Sequence, residues 1–204
     1  MQEESKDNTD FANAYKSTYE AEGGKISVLR RFKADTDENV SAAFAGLALS
    51  ASSHVVVASE NRRVGPLAVK VLQQQPAATR PALLAPGSWL DNPKLSVSQL
   101  GAPGMYFVHP EYYDEQAPGF RRFRQLYLQQ QRIPPSVYAN QGFEMLLYFG
   151  SALFQYGPAF QASLASAPAV PGAIFESQSY AGGAHDNQVV PIVKLTNLEL
   201  QVLR

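Results

Sequence analysis

The sequence predicts an α/β fold, a largely parallel sheet with helices on both faces. Two observations carry that prediction. Between residues 11 and 110, segments of helical period alternate with short strand-like segments in the order α-β-α-β-α-β-α-β. One of those strands, HVVVAS at 54–59, is apolar without alternation, as a parallel strand covered on both faces must be.

The elements follow in order. The first ten residues are polar and read as frayed. Phe11, Tyr15 and Tyr19 recur at four-residue spacing on a helix that Gly23-Gly24 stops. KISVLRRF at 25–32 reads as a strand. Asp35 or Thr36 caps a second helix with Val40, Ala43, Phe44 and Leu47 on one face. After the strand at 54–59, a helix carries Val64, Leu67, Ala68, Val71 and Leu72 in register, with Pro66 tolerated in its first turn. A strand at 81–87, a short helix near 92–100 and a strand at 104–110 complete the alternation. The run begins with a helix, whereas a doubly wound sheet begins with a central strand, so the domain is expected to lack its first strand.

Beyond 110 the pattern becomes helical. Phe120, Phe123 and Tyr127 share one face, Arg121, Arg122 and Arg124 the other, and Pro134-Pro135 ends the helix. A more apolar helix runs to Gly157-Pro158, a short one occupies 158–166, and ASAPAVPG at 165–172 reads as a connector. The tail holds GAIFESQSY, a turn-rich AGGAHDN, and an alternating segment at 188–203 that reads as a β-hairpin turning at Thr196-Asn197.

Composition narrows the function classes. The chain has 204 residues, 45% hydrophobic and 17% charged, enough for one core or a core with an annex. A net charge of −1 gives no field to recruit nucleic acid or anionic lipid. With no cysteine there is no disulfide, thiolate metal site or cysteine nucleophile. No apolar run approaches the ~20 residues of a membrane span, and MQEESKDNTD lacks the chemistry of a signal peptide. If the protein is exported, the exporting segment is not among these residues.

In open parallel sheets ligands bind beyond the carboxyl ends of the strands. That rule selects three loops: Ser59-Glu60-Asn61-Arg62-Arg63, Pro86-Gly87-Ser88-Trp89, and His109-Pro110-Glu111-Tyr112-Tyr113-Asp114. Their carboxylates, guanidinium groups and rings suit a small polar ligand. The candidate contacts are Ser59, Glu60, Asn61, Trp89, His109, Tyr112 and Tyr113. Catalytic motifs are missing: no G-x-S-x-G, no P-loop, no G-x-G-x-x-G after a strand. His54, His109 and His185 lack metal-ligand spacing, and no cofactor is implied. Glu144 sits in an apolar helix with no basic neighbour in sequence. Two turns from the helix start, it is placed to accept hydrogen bonds from a neighbouring loop rather than to do chemistry.

Several phrases resemble the second half of type I periplasmic binding proteins, specifically the branched-chain amino-acid substrate-binding proteins of ABC transporters. They are FANAYKSTYEAEGGKI (11–26), HVVVASEN (54–61), PALLAPGSW (81–89), GMYFVHPEYYD (104–114) and the segment 120–157. The family pattern Y-A-x-x-G-Y-D reads here Tyr138-Ala139-Asn140-Gln141-Gly142-Phe143-Glu144, with Phe for Tyr and Glu for Asp. The tail at 186–203 is similar to that of Bacteroidetes envelope proteins. The resemblance implies a flavodoxin-like lobe at 1–115 lacking its first strand, a crossover returning to lobe one at 116–170, and C-terminal strands at 171–204, with the first lobe missing. It also implies a non-enzymatic, periplasmic or envelope protein that closes on a small polar solute, with a membrane permease or upstream envelope modules as partners, and without nucleic acid or membrane insertion. The loops do not carry the family's amino-acid pattern residue by residue. Two rival readings stand beside this one: an envelope module that keeps the fold without a ligand, and a small flavodoxin-like enzyme, against which the missing motifs count.

Overall fold

The computed structural model describes residues 1–47 and 53–203. In chain order the strands are β1 (Gln2–Glu3), β2 (Arg31–Phe32), β3 (His54–Val56), β4 (Ala82–Pro86), β5 (Met105–Val108), β6 (Val170–Pro171), β7 (Ser177–Gln178), β8 (Ile192–Thr196) and β9 (Glu199–Val202). The helices are α1 (Lys6–Ala21), α2 (Asp37–Phe44), α3 (Val64–Gln73), α4 (Val97–Leu100), α5 (Pro118–Gln131), α6 (Val137–Tyr156) and α7 (Phe160–Leu164). They form two compact units, Met1–His109 with Ile192–Arg204, and Pro110–Pro191. The segment expected to supply C-terminal strands is thus divided between them. Among the described residues, no helix is long and apolar enough to cross a membrane.

In the first unit β3, β4 and β5 pair in parallel. β1 pairs in parallel with β2, and Gln2 bridges in parallel to Ala58, just past β3. The spatial order is therefore β2-β1-β3-β4-β5, the flavodoxin-like arrangement. The hairpin β8-β9 extends this sheet, β8 pairing antiparallel with β5 through Phe107 and Val193, both fully buried.

One expectation is corrected here. The opening residues are not frayed, and a first strand, though short, occupies the central place. The Met1 amino group donates to the Val56 carbonyl at 2.9 Å, the Met1 carbonyl accepts from Ala58 N–H at 2.9 Å, and Gln2 is 1% exposed. Gln2 escapes a hydrophobicity reading because it is buried as a polar residue, its Nε2 donating to Thr9 Oγ1 at 2.6 Å. Ser5 caps α1, accepting from Asn8 N–H at 3.2 Å, so the helix starts five residues before Phe11. Conversely, of the strand expected at 25–32 only Arg31–Phe32 pairs.

The next two helices follow their sequence signals. Thr36 Oγ1 accepts from Asn39 N–H, while Asp35 accepts from Thr36 N–H and from Asn39 Nδ2, so both candidate caps act. Val40, Ala43 and Phe44 are buried as their period requires, and Leu47 lies past the helix end. On α3 the buried face is Val64, Gly65, Ala68, Val69 and Leu72, with Val69 inward where Leu67 and Val71 were expected. Between β4 and β5 the expected helix is two pieces. A 3-10 turn spans Gly87–Asp91, and α4 is closed by a Ser96/Gln99 capping box.

The second unit packs α5 and α6 around aromatics. Phe120, Phe123 and Ile174 form its core, and the Phe123 and Phe143 rings stack with centroids 4.3 Å apart. Arg121, Arg122 and Arg124 are exposed, as the period predicts. α5 ends at Arg132 in left-handed conformation, φ 62°, before Pro134-Pro135. Glu144 on α6 is 3% exposed and accepts two backbone N–H groups, from Ala173 at 3.0 Å and Ile174 at 2.7 Å. The carboxylate anchors a loop of its own unit, as its position near the helix start suggests.

Candidate functional site

From β1 the chain crosses to β2 on one side of the sheet, then returns to β3 on the other. The carboxyl ends of β1 and β3 therefore form the switch point, where an open α/β sheet leaves a crevice. The residue there is Glu3. Ser59 Oγ donates to Glu3 Oε2 at 2.5 Å, Asn61 Nδ2 to Oε1 at 3.3 Å, and Asn8 Nδ2 to Oε2 at 3.5 Å. Three neutral donors from the end of β1, the start of α1 and the loop after β3 converge on one carboxylate. Glu60 lies exposed between two of them. No cation is among these partners, so the cluster carries negative charge at the sheet edge and suits the ammonium or hydroxyl groups of a small solute.

The loop is held by its own bonds. Ser59 Oγ also accepts from Asn61 N–H at 3.2 Å, and Asn61 Oδ1 accepts from Arg63 N–H at 3.1 Å. Arg63 leaves the cluster. Its Nε lies 3.5 Å from Asp37 Oδ1, and its Nη1 donates to the Asp35 carbonyl. The side-chain hydrogen bond from Asn39, ahead of its other influences, holds the Asp35 carboxyl below its ordinary value. Asn92 Nδ2 donates to the Arg62 carbonyl at 2.8 Å, tying the loop to the segment after β4.

The other sequence candidates disperse. Trp89 is 1% exposed, and its Nε1 donates to the Ser59 carbonyl at 3.0 Å. A Cβ on Gly65 would lie 3.1 Å from the indole, so α3 sits directly on the ring. A ring packed this way has no face for a ligand; its connection to the site is through Ser59. His109, at the end of β5, packs over Gly87, where a Cβ would come within 3.1 Å of the imidazole. Tyr112 and Tyr113 belong to the second unit. Tyr113 packs on Phe120 with centroids 4.7 Å apart and on Phe175 edge-on at 6.1 Å. Burial, with the charges of Asp114 and Glu176, raises the Tyr112 phenol above its ordinary value.

The sequence brings Ser59, Glu60 and Asn61 together, and the fold adds Glu3 and Asn8. The signal for Glu3 was available: Ser5 with Asp7 is a helix start, and the residue before a helix start in such a fold ends a strand. Among the described residues, no group of three His, Cys, Asp or Glu side chains could hold a metal ion.

No protein-family model and no curated protein matches the chain. Solved structures do. A Rhodospirillum rubrum protein assigned to branched-chain amino acid ABC transport matches with TM-score 0.68 and 13% identity, over 99% of this chain and 59% of that one. A Desulfitobacterium hafniense ABC transporter substrate-binding protein in complex with Leu matches with TM-score 0.58 and 16% identity, over 99% and 58%. An extracellular ligand-binding receptor from Verminephrobacter eiseniae matches with TM-score 0.59 and 15% identity, over 98% and 59%. The chain spans under two thirds of the length of each. What it shares with them is the fold: this chain has the α/β architecture of the ABC transporter substrate-binding proteins, the type I periplasmic binding fold.

Proposed function

We propose that the chain is a ligand-binding domain that takes a small polar solute, amino-acid-like in having an ammonium group, at the carboxyl ends of β1 and β3. The observation that carries this reading is the convergence of Ser59, Asn61 and Asn8 on Glu3 at the switch point, with Glu60 exposed beside it. Glu3 and Glu60 would face the ammonium, and Asn61 would hydrogen-bond a polar group of the ligand. The role is capture without chemistry. In a two-lobed protein of this fold, hinge closure would complete the site from the other side, and the protein would work outside the cytoplasm and deliver its solute to a membrane permease.

Titration calorimetry with a panel of amino acids, Leu included, together with a polyamine and a sugar, tests this. An ammonium-bearing solute is expected to bind, and Glu3→Gln or Glu60→Gln to weaken it about tenfold, the loss of one charge-assisted contact. A panel that gives no heat, or binding indifferent to both substitutions, would sink the reading. The rival is a domain that keeps the fold without a ligand. It draws on Ser59 and Trp89, whose polar atoms are already used inside the fold.

A further inference from the structure

A second concave feature lies at the opposite end of the same strands. It is a slot of about 280 Å³, walled by residues 25–29 on one flank and 53–56 on the other, roofed by α1 and closed at its inner end by Met1. α1 has sixteen residues and buries none of them, although Phe11, Tyr15 and Tyr19 share its face over the slot. Phe11 is 41% exposed, Val28 53% and Leu29 44%. A helix with an apolar stripe and nothing beneath it is missing the partner that stripe is made for.

The hydrogen-bond ladder of β1 shows what that partner is. On one side Gln2 N–H donates to the Arg30 carbonyl and Glu4 N–H to the Phe32 carbonyl. On the other, Met1 donates to Val56, Ala58 N–H to Met1, and Glu3 N–H to Ala58. Val57 N–H donates to the Leu84 carbonyl, so odd positions of this segment face β4 and even positions face β1. Continued by the same period, the ladder runs past Met1 into the slot. There it meets the backbone of His54 and Val56 on one flank and of Val28 and Arg30 on the other. The slot is three to four residues long, roughly 10–13 Å of extended chain. The ammonium of Met1 stands at its inner end, Lys16 and Lys25 line it, and no carboxylate does among the described residues.

We propose that this slot binds the carboxyl-terminal strand of a partner polypeptide, added in parallel between residues 27–30 and 53–56, with apolar residues at alternate positions under Phe11, Tyr15 and Tyr19 and its free carboxylate against Met1. This is strand addition, in which main-chain bonds give affinity and the pockets read alternate side chains. Here both flanks are open, so the incoming strand is paired on two sides. Burial lowers the Met1 amino group to about 6, and a carboxylate beside it is the group that restores its charge. The inference stands apart from the solute site, which lies at the other ends of the strands.

The probe is an acetylated hexapeptide of alternating Thr and Val with a free carboxyl end, added to the whole chain. Saturable binding is expected, with slowed hydrogen exchange at the amides of Val28 and Val56. Val28→Pro, which removes a main-chain donor at an exposed position, should abolish binding without unfolding the chain, as circular dichroism would verify. Amidating the peptide's carboxyl end should weaken binding about tenfold. No saturable binding would overturn the proposal. Equal binding of the amidated peptide would overturn the carboxyl-end assignment. Protection that appears only when the same strand is fused ahead of Met1 would show the slot to be filled in cis, and would overturn the partner reading.

Discussion

Ile174 donates its backbone N–H to Glu144 Oε2 at 2.7 Å, and the neighbouring Ala173 N–H reaches the other carboxylate oxygen at 3.0 Å. Both oxygens of a 3%-exposed carboxylate are thereby committed to one turn of backbone. Gly172 is part of the same device. A Cβ there would collide with the Phe175 carbonyl oxygen and sit 2.7 Å from Glu144 Oε1.

Glu144→Ala therefore strands two buried N–H groups at 1–3 kcal/mol each, so a loss of about 3 kcal/mol is expected in urea unfolding. Glu144→Gln keeps an acceptor for one N–H but turns an amide donor on the other, and should cost about 2 kcal/mol. Gly172→Ala should cost about 1–3 kcal/mol by overpacking. An unchanged midpoint for Glu144→Ala would refute the anchoring role.

Trp89 separates a core ring from a ligand platform. It is the chain's one tryptophan, so its fluorescence is unambiguous. Buried at 1% exposure, it should emit to the blue of free tryptophan and resist iodide quenching. Trp89→Phe removes the donor to the Ser59 carbonyl and should cost about 1–2 kcal/mol. Trp89→Ala should cost about 3–5 kcal/mol. Free access of iodide to the ring would return Trp89 to the surface.

These residues mark where the sequence is legible. Helices α2, α3, α5 and α6 follow from apolar period and from caps at Thr36 and Ser136, because both are local signals. Strands β4 and β5 lie within a residue or two of their expected bounds. β1 was not legible, since two polar residues carry no strand signal and are held by partners about thirty and more than fifty positions away, Arg31 and Ala58. The candidate site was missed at Glu3 for the same reason, whereas Ser59, Glu60 and Asn61 follow from the strand-end rule alone. Trp89 was misplaced because nothing local distinguishes an indole that stacks on a ligand from one that lies under α3.

The amino terminus gives a pH signature. Burial lowers the Met1 ammonium from the ordinary 8.0 to about 6. Between those values the unfolded chain binds more protons than the folded one, so stability rises with pH across that window. The penalty is full below about pH 6 and gone above about pH 8, and two units correspond to roughly 2–3 kcal/mol at most. Urea midpoints at pH 5.5, 7 and 8.5 should climb in that order, and amino-terminal acetylation should flatten the rise. A slope that survives acetylation belongs to another group.

The hairpin β8-β9 turns through Asn197 and Leu198, with φ of 52° and 68°. Thr196 pairs with Glu199, so the loop has two residues, one position later than the Thr196-Asn197 turn expected from sequence. Two consecutive positive φ values define the primed turn that matches the twist of a tight hairpin, and Asn-Gly is its preferred sequence. Asn tolerates that region; leucine does not, and pays roughly 1–2 kcal/mol for it. Leu198 recovers little of this by packing, being 77% exposed. Leu198→Gly should therefore stabilise the chain by about 1 kcal/mol, the relief of strain being offset in part by the greater freedom of glycine in the unfolded state. Because β8 pairs with β5, the gain should appear in the main unfolding transition and not only as local protection of the turn. A lower midpoint for Leu198→Gly would mean that the leucine side chain has a partner that outweighs its backbone strain.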